Sequence, residues 1–474
     1  MRTAAIAMLV LLASSTLEGA RLHVGGASTS ITPDRPVALM GQRHLRISTR
    51  VESPCLAVAL AIESREGDRS AEQAVFVACD LSFIPNDFRD AIETRLQKLV
   101  PEFDVRKLIV SATHTHTAPV HVDGAYEVPS EGVMPPAEYI DFATARIAAV
   151  AAEAWKKRTP ATVGWGLGHA VVARNRLAVY DDGKAQMYGP TTKSNFARLE
   201  GYEDHGVEVL CFWDTKDQLI ATSVNVACPA QDAADDYTVN ADFWHPGRER
   251  LRKKFGDHLA VLGWIGAAGD QSPWPMFRKP AEKRMLQLRG LTSLEAIGER
   301  IVRGWEEAYA GAERDRRAEV PFHHTVENIL LPMRQVTQEQ YLEAKTKAAD
   351  TGDEATARWN RRWHQKVIDR YESQQPGDTY DMRLHVVRLG DTAIATNEFE
   401  LYTDYGLQMK ARSPAVQTFV IQLCGPGPYL PTDRALPGGA YGSVIQSGLV
   451  GPDGGKELVE KTLAAINALW PKSK

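Results

Sequence analysis

Leu108-Ile109-Val110-Ser111-Ala112-Thr113-His114-Thr115-His116-Thr117-Ala118-Pro119 is the stretch from which the rest of the chain is best read. Its apolar opening, residues 108–110, reads as a buried strand, and period-two alternation sends His114 and His116 to one side as the chain leaves the sheet. Two imidazoles pointing into one volume are the beginning of a metal or oxyanion site. The alternative is one solvated and one hydrogen-bonded structural histidine. Only 13 of the 474 residues are histidine, and a pair set among small threonines is a poor way to fill a core.

Upstream, residues 74–79 form a second apolar run closed by Asp80, and residues 87–99 have helical spacing, so the path to Ala112 is strand, helix, strand. Units of this kind carry chemistry in the loops at their strand carboxyl ends. A strand is predicted over 55–63, and Ile140, Ala143, Ile147, Val150 and Ala154 mark one face of a helix. Residues 207–228 read as a hairpin turning at Asp214-Thr215-Lys216-Asp217, followed by a helix near 245–255, a strand at 259–265 and a helix at 294–309. Between strands at 320–331 and 383–396, the charged, alanine-rich residues 335–375 predict an inserted helical hairpin. A last strand at 417–423 and a helix at 458–469 close the chain. No internal repeat or linker is visible, so the expectation is one domain over 21–474, of α/β class with mixed β-sheets flanked by helices.

Hydrophobic content of 44% and charged content of 24% are ordinary globular values. The net charge of -5, with both signs interspersed, offers no basic stripe for nucleic acid and no polybasic membrane tail. Residues 1–20 read as a signal peptide: Arg2, an apolar core over 4–13 too short to span a bilayer, and Ala13-Ser14-Ser15 as a small-residue cleavage site. No cysteine ends this segment and no later run reaches membrane-spanning length, so the expected product is exported, periplasmic or secreted, without a stable membrane anchor. Five scattered cysteines do not make a disulfide framework; several lie in apolar runs as buried small hydrophobes.

A second constellation, Gly266-Ala267-Ala268-Gly269-Asp270-Gln271-Ser272-Pro273, follows the strand at 259–265. Glycine and alanine permit a tight turn and close approach of a substrate, and Ser272 can present its hydroxyl beside backbone N–H donors; the plain reading is a turn stabilised by Asp and Ser. Glu398 follows the apolar run 393–395, and Tyr429 sits in Gly425-Pro426-Gly427-Pro428-Tyr429-Leu430-Pro431-Thr432. Alone, one reads as a helix-cap or salt-bridge carboxylate and the other as packing. Together, at the ends of successive strands, they read as a site.

In their order along the chain, Gly26 to Pro33 with Gly41, Thr113-His114-Thr115-His116-Thr117-Ala118-Pro119, Asn175-Arg176, Gly269-Asp270-Gln271-Ser272-Pro273, Asn397-Glu398-Phe399 and Tyr429-Leu430-Pro431-Thr432 resemble the motifs of the neutral, non-lysosomal ceramidases, over their catalytic domain. The resemblance implies a zinc-dependent hydrolase that cleaves an N-acyl amide to a fatty acid and a sphingoid base. Carried over, His114, Glu398 and Tyr429 would bind zinc, His116 and Arg176 would polarise the substrate carbonyl, and Ser272, with Asp270 beside it, would stand at the position proposed as nucleophile. Zinc accepts such ligands in a tetrahedral shell with one position left for a water whose pKa falls to about 7.

Two departures qualify the resemblance. Where the family has a second zinc histidine, this chain reads Asn225-Val226-Ala227-Cys228-Pro229, with Asp242 downstream. Cys228 as a thiolate or His245, three residues after Asp242, are the replacements the sequence offers; an inert core cysteine and a surface histidine are their plain readings. The family's C-terminal β-sandwich domain has no counterpart, and the 335–375 insertion is foreign to the pattern. Trp244, Trp264 and Trp274 flank the proposed site and could line an acyl groove, stack on a sugar, or fill core. The partner implied is a small-molecule or lipid-like substrate. Hydrolysis of a carbohydrate-like or other non-lipid substrate, or binding without metal, are the rival readings, and oligomeric state is not legible in the sequence.

Overall fold

Strict alternation with both faces apolar builds the centre of the protein. In β2 (Leu56–Glu66), Ala57, Ala59 and Ala61 pack to one side and Val58, Leu60 and Ile62 to the other; in β3 (Arg69–Cys79), Val75 and Val77 oppose Ala74 and Phe76. A strand buried on both faces needs a layer on each side. The outer layer is α1 (Asn86–Leu99) and α2 (Pro136–Lys156), and the inner one is the other half of the same sheet. These positions come from a computed structural model that describes residues 20–349 and 355–470. The signal peptide expected over 1–20 therefore falls, but for its last residue, outside the described residues.

The remaining strands of the large sheet are β1 (Arg21–Ser30), β4 (Leu108–Ala112), β5 (Thr159–His169), β6 (Gly206–Asp214), β7 (Leu219–Val226) and β8 (Ala260–Ile265). The eight strands run in the order β8-β7-β6-β5-β1-β2-β3-β4. The outermost pairs, β3 with β4 and β7 with β8, are parallel, and the other neighbours antiparallel. The two parallel pairs are each joined by a helical crossover, α1 on one side and α3 (Trp244–Phe255) on the other. Three strands, a helix, a strand and flanking helices thus occur twice, the halves meeting antiparallel at β1 and β5. The second half is covered by α3 and α5 (Ser293–Ala312), with α4 (Lys279–Arg289) between them in sequence. The sheet coils until β8 packs near β2 and β3, and the inner residues of both halves share one core that includes Phe76, Phe212 and Trp264.

A second sheet of four strands closes this core: β9 (Phe322–Pro332), β10 (Thr379–Leu389), β11 (Thr392–Thr396) and β12 (Gln417–Ile421). Residues 383–396, read as one strand, are a hairpin of two, because Gly390 (φ +63°) turns the chain between β10 and β11. The insertion is the expected helical pair, α6 (Gln338–Ala348) and α7 (Ala355–Ser373), each on the other. Two more helices, α8 (Thr403–Arg412) and α9 (Pro452–Ala468), pack on the second sheet. The class is α/β with mixed sheets, as the order of elements implied.

Candidate active site

The site gathers at the carboxyl end of β4, where alternation stops. His114 takes a left-handed backbone (φ +64°), its N–H donating to the Leu81 carbonyl. A bulky residue in that region marks a conformation imposed by its surroundings. Thr115 and Thr117, buried on either side of His116, both donate their hydroxyls to the Asn240 carbonyl, at 2.7 and 2.9 Å. The threonines are thus staples that hold two imidazoles in place. The rings of His114 and His116 meet edge to face, 4.8 Å apart, by way of this turn rather than by strand alternation. Gly41 (φ +105°) lies so close to His116 that a Cβ there would sit 2.4 Å from the ring.

His114 has a fixed tautomer. Nδ1 is 2.5 Å from the Ser82 carbonyl, which can only accept, so Nδ1 carries a proton and the neutral ring presents its lone pair at Nε2. Nε2 is buried, and lies 3.3 Å from Glu400 Oε2 without hydrogen-bond alignment. A lone pair facing a carboxylate oxygen at that distance calls for a proton or a cation between them.

Glu400 reaches this place through a two-residue parallel pair, Glu400–Leu401 with Tyr429–Leu430, which sets Glu400 beside Tyr429. Burial pushes its carboxyl upward, but positive charge at His114 Nε2, whether a proton or a cation, together with Arg176 outweighs that and holds it below the usual range. The Tyr429 hydroxyl accepts from Arg176 Nη2 at 3.0 Å and directs its own proton at Glu400. Arg176 itself is 2% exposed. It follows the short pairing of Arg174–Asn175 with Gln271–Ser272, and it also donates to the Gly269 carbonyl (2.8 Å), to Gln231 Oε1 (3.1 Å) and to the Tyr188 hydroxyl (3.3 Å).

Gln231 decides the state of His116. Arginine can only donate, so the Gln231 oxygen must face Arg176 and its NH2 must face His116 Nε2, 2.8 Å away. His116 Nε2 is therefore an acceptor. Burial first, and then His114, Arg176 and Arg46, push its pKa well below the ordinary histidine value, so the ring is neutral. In this arrangement His116 Nε2 has no N–H to direct at a carbonyl, the role expected for it, whereas Arg176 has donors at the cavity floor. These six side chains floor a cavity of about 800 Å³ walled by Tyr188, Trp274, Trp363 and Tyr441.

Five expected site residues, Glu398, Cys228, His245, Ser272 and Asp270, lie outside the cavity lining. Glu398 is turned away from His114 because Asn397 Oδ1 accepts the Phe399 N–H at 3.1 Å, a turn that breaks the alternation between β11 and Glu400. Its carboxylate instead accepts from the Tyr380 hydroxyl (2.9 Å) and lies 3.4 Å from Arg89, with its pKa raised by burial. Glu400, two residues on, holds the place assigned to Glu398. Cys228 packs beneath α3 and α5, its sulfur 3.6 Å from the Val172 carbonyl, and burial pushes the thiol far up; it does not line the cavity. His245 lies in the first turn of α3, beside Glu249 and Arg248 and away from the cavity. Ser272 is fully buried, accepts the Trp274 N–H at 3.1 Å and does not reach the cavity wall.

Asp270 is a clamp: it accepts from Asn175 Nδ2 (2.9 Å) and from the Thr403 N–H and hydroxyl (2.9 and 2.7 Å), while its carbonyl fixes the Arg176 N–H. All five cysteines are buried and free. Trp274 lines the cavity, whereas Trp244 and Trp264 are core. For Glu400 the sequence held a usable signal, the asparagine at 397 that favours such a turn. Gln231, Tyr188 and Tyr441 carried none.

The donors fit a zinc ion in part. His114 Nε2 and Glu400 Oε2, at 3.3 Å, are spaced as two ligands of one tetrahedral zinc at about 2 Å each would be. Tyr429 is the third oxygen at hand. No second imidazole or thiolate completes them, and among the described residues no three His, Cys, Asp or Glu side chains are grouped to hold a metal.

No family model and no curated protein sequence matches the chain. Solved structures similar in fold include two ceramidases. One, described as "Ceramidase complexed with C2", is 14% identical over 96% of this chain and 76% of that one, with a TM-score of 0.69. The other, neutral ceramidase from Pseudomonas aeruginosa, is 15% identical over the same shares, with a TM-score of 0.68.

Proposed function

We propose that the chain is an exported hydrolase that cleaves the amide bond of an N-acylated substrate, ceramide-like in its linkage. The observation that carries this reading is the buried lone pair of His114 Nε2 facing Glu400 Oε2 at 3.3 Å, on the floor of a cavity that also holds the Arg176 guanidinium. The likeness in fold to two ceramidases supports it. His114, Glu400 and Tyr429 are the residues that would hold zinc, and the ion would supply Lewis acidity and a water of lowered pKa.

The protein's own groups have separable tasks. Arg176, itself buried, keeps a full positive charge at the cavity floor, where it can stabilise developing negative charge on a tetrahedral oxyanion. Its contact with the Tyr188 hydroxyl, at 3.3 Å, is its longest hydrogen bond, and the one a substrate carbonyl would replace. Tyr429, pinned by Arg176 and aimed at Glu400, holds a proton at its hydroxyl; burial first, and then Glu400 against Arg176, keep that hydroxyl protonated. Gln231 occupies the lone pair of His116 Nε2 at 2.8 Å and so fixes the neutral ring with its proton at Nδ1.

The reading is tested by measuring zinc in the purified mature protein by mass spectrometry, together with fatty-acid release from a short-chain ceramide and a panel of simpler N-acyl amides. Stoichiometric zinc that is lost in His114→Ala and Glu400→Gln, with turnover of an amide, is the expected result. Absence of amide turnover across the panel by zinc-loaded protein would overturn it.

A further inference from the structure

The insertion does not stand apart from the site. Trp359, Arg362, Trp363 and Lys366 fall three and four residues apart on one face of α7, and that face forms a wall of a second cavity of about 850 Å³. The opposite wall comes from residues 40–45 and 122–127. The two cavities share Gly41, Arg43, Phe83, Trp363, Lys366 and Tyr441, so they are parts of one cleft. A ladder of rings connects them: Tyr429 to Tyr441 at 5.7 Å, Tyr441 to Trp363 at 5.5 Å, and Trp363 to Trp359 at 5.0 Å.

The charge in this arm of the cleft is unlike that of the protein as a whole, which carries a net -5. Arg43 lies over the rings of Trp359 (4.5 Å) and Tyr441 (4.7 Å) and makes no ion pair among the described residues. Arg362 and Lys366 are exposed and have no carboxylate partner among the described residues. Of the two acids present, Glu127 lies 3.6 Å from Arg358 and the Asp123 carboxylate accepts the Gly124 N–H. An arginine seated on aromatic rings and two cations without carboxylate partners among the described residues, in one cleft with the site floor, make a receptor for an anion.

We propose that α7 supplies a specificity subsite for an anionic group, a carboxylate or a sulfonate, on the substrate, with Arg43, Arg362 and Lys366 holding the charge and Trp359 and Trp363 holding the adjoining apolar or ring portion. The proposal rests on the amide-hydrolase reading and narrows it. The preferred substrate is an N-acyl compound with an acidic group attached near the scissile amide, rather than an uncharged N-acyl sphingoid base.

The test compares N-octanoyl glycine and N-octanoyl aminomethanesulfonate with neutral N-octanoyl ethanolamine. Calorimetric titration of octanesulfonyl glycine against octanesulfonyl ethanolamine, which cannot be hydrolysed, gives affinity without turnover. The anionic substrates should lead by about tenfold or more in kcat/KM, through KM, and the lead should shrink with salt. An Arg362→Ala/Lys366→Ala double variant should bring the ratio near one, and Arg362→Glu/Lys366→Glu should invert it. A lead of the carboxylate alone or the sulfonate alone identifies the group; either outcome supports the subsite. Equal kcat/KM for charged and neutral substrates, or a lead that survives in both variants, overturns the inference and leaves the amidase reading standing. If no amide is cleaved, the titration decides: tighter binding of the charged sulfonamide, lost in the double variant, keeps the anion subsite and sinks the amidase reading, while equal or absent binding of the two overturns the subsite as well.

Discussion

The protein buries two histidine pairs, and they behave oppositely. His114 and His116 stand at a strand end, and His324 and His385 face each other across β9 and β10. In the second pair every nitrogen contact closes inward: His324 Nδ1 is 3.1 Å from the Gln73 carbonyl and its Nε2 is 3.0 Å from His385 Nδ1. In the first pair, one nitrogen is left aimed at a carboxylate with a cavity above it. Burial is the first cause that lowers the pKa of His116, His324 and His385 alike, so perturbation does not separate a site from a core. What separates them is an unsatisfied lone pair facing an opposite group and open volume.

The sharpest way to break this comparison is to remove one member of each pair. His114→Ala and Glu400→Gln should each cut amide turnover by about 10³-fold or more and lose bound zinc, whereas His385→Gln should leave turnover within about threefold. Equal losses from both pairs would erase the distinction. Next in size, Arg176→Lys should lower kcat by roughly 10²-fold, since a lysine cannot reproduce the fork that meets Gln231, Gly269 and Tyr429. Gln231→Leu should cost about tenfold and alter the acid limb of the pH–rate profile, because it frees the tautomer of His116.

The structural pair should announce itself in stability. Burial lowers His324 to a pKa of about 4, against about 6.5 when unfolded, so the unfolded chain binds the extra proton in between. Stability is then present above about pH 6.5 and is lost as pH falls toward 4, by on the order of 3 kcal/mol. A His324→Phe variant followed by thermal melting across that range should show a flatter profile; an unchanged slope would sink the assignment. Smallest of all, Cys228→Ala should leave zinc content and turnover unchanged and cost about 1 kcal/mol of stability through a small cavity.

A second contrast bears on what a sequence can reveal. Glu398 and Glu400 are two residues apart, both buried, and alternation alone would put them on one face. Asn397 interrupts the strand, so burial leaves Glu398 raised beside Tyr380 while Glu400 is held low by His114 and Arg176. The motif around 398 drew attention to this turn, but the carboxylate that lines the cavity is that of Glu400. Ser272 and Asp270 repeat the lesson: the Gly-Asp-x-Ser-Pro turn packs against the site and positions Arg176, but neither side chain faces the cavity.

Local sequence was enough for the elements and for the first half of the site. Alternation in 56–62 and 74–79, helical spacing in 87–99 and the charged hairpin of 335–375 are periodic over many residues, and period is a property of the chain itself. His114 was legible because a scarce residue type stands at a strand end, where the backbone must leave the sheet; Tyr429 drew notice only jointly with its neighbours at successive strand ends, and Arg176 only through the resemblance in motifs. Tertiary structure alone decided the rest. The coiling of one sheet into two facing halves, each with the same order of elements, comes from pairing between segments more than a hundred residues apart, such as Val24 with Thr159. The direction in which Glu400, Cys228 and Gln231 point is set by single turns, and the meeting of α7 with the catalytic floor by packing across the chain. No periodicity records a turn of one residue or a contact between distant segments, because each depends on what the folded chain places opposite it.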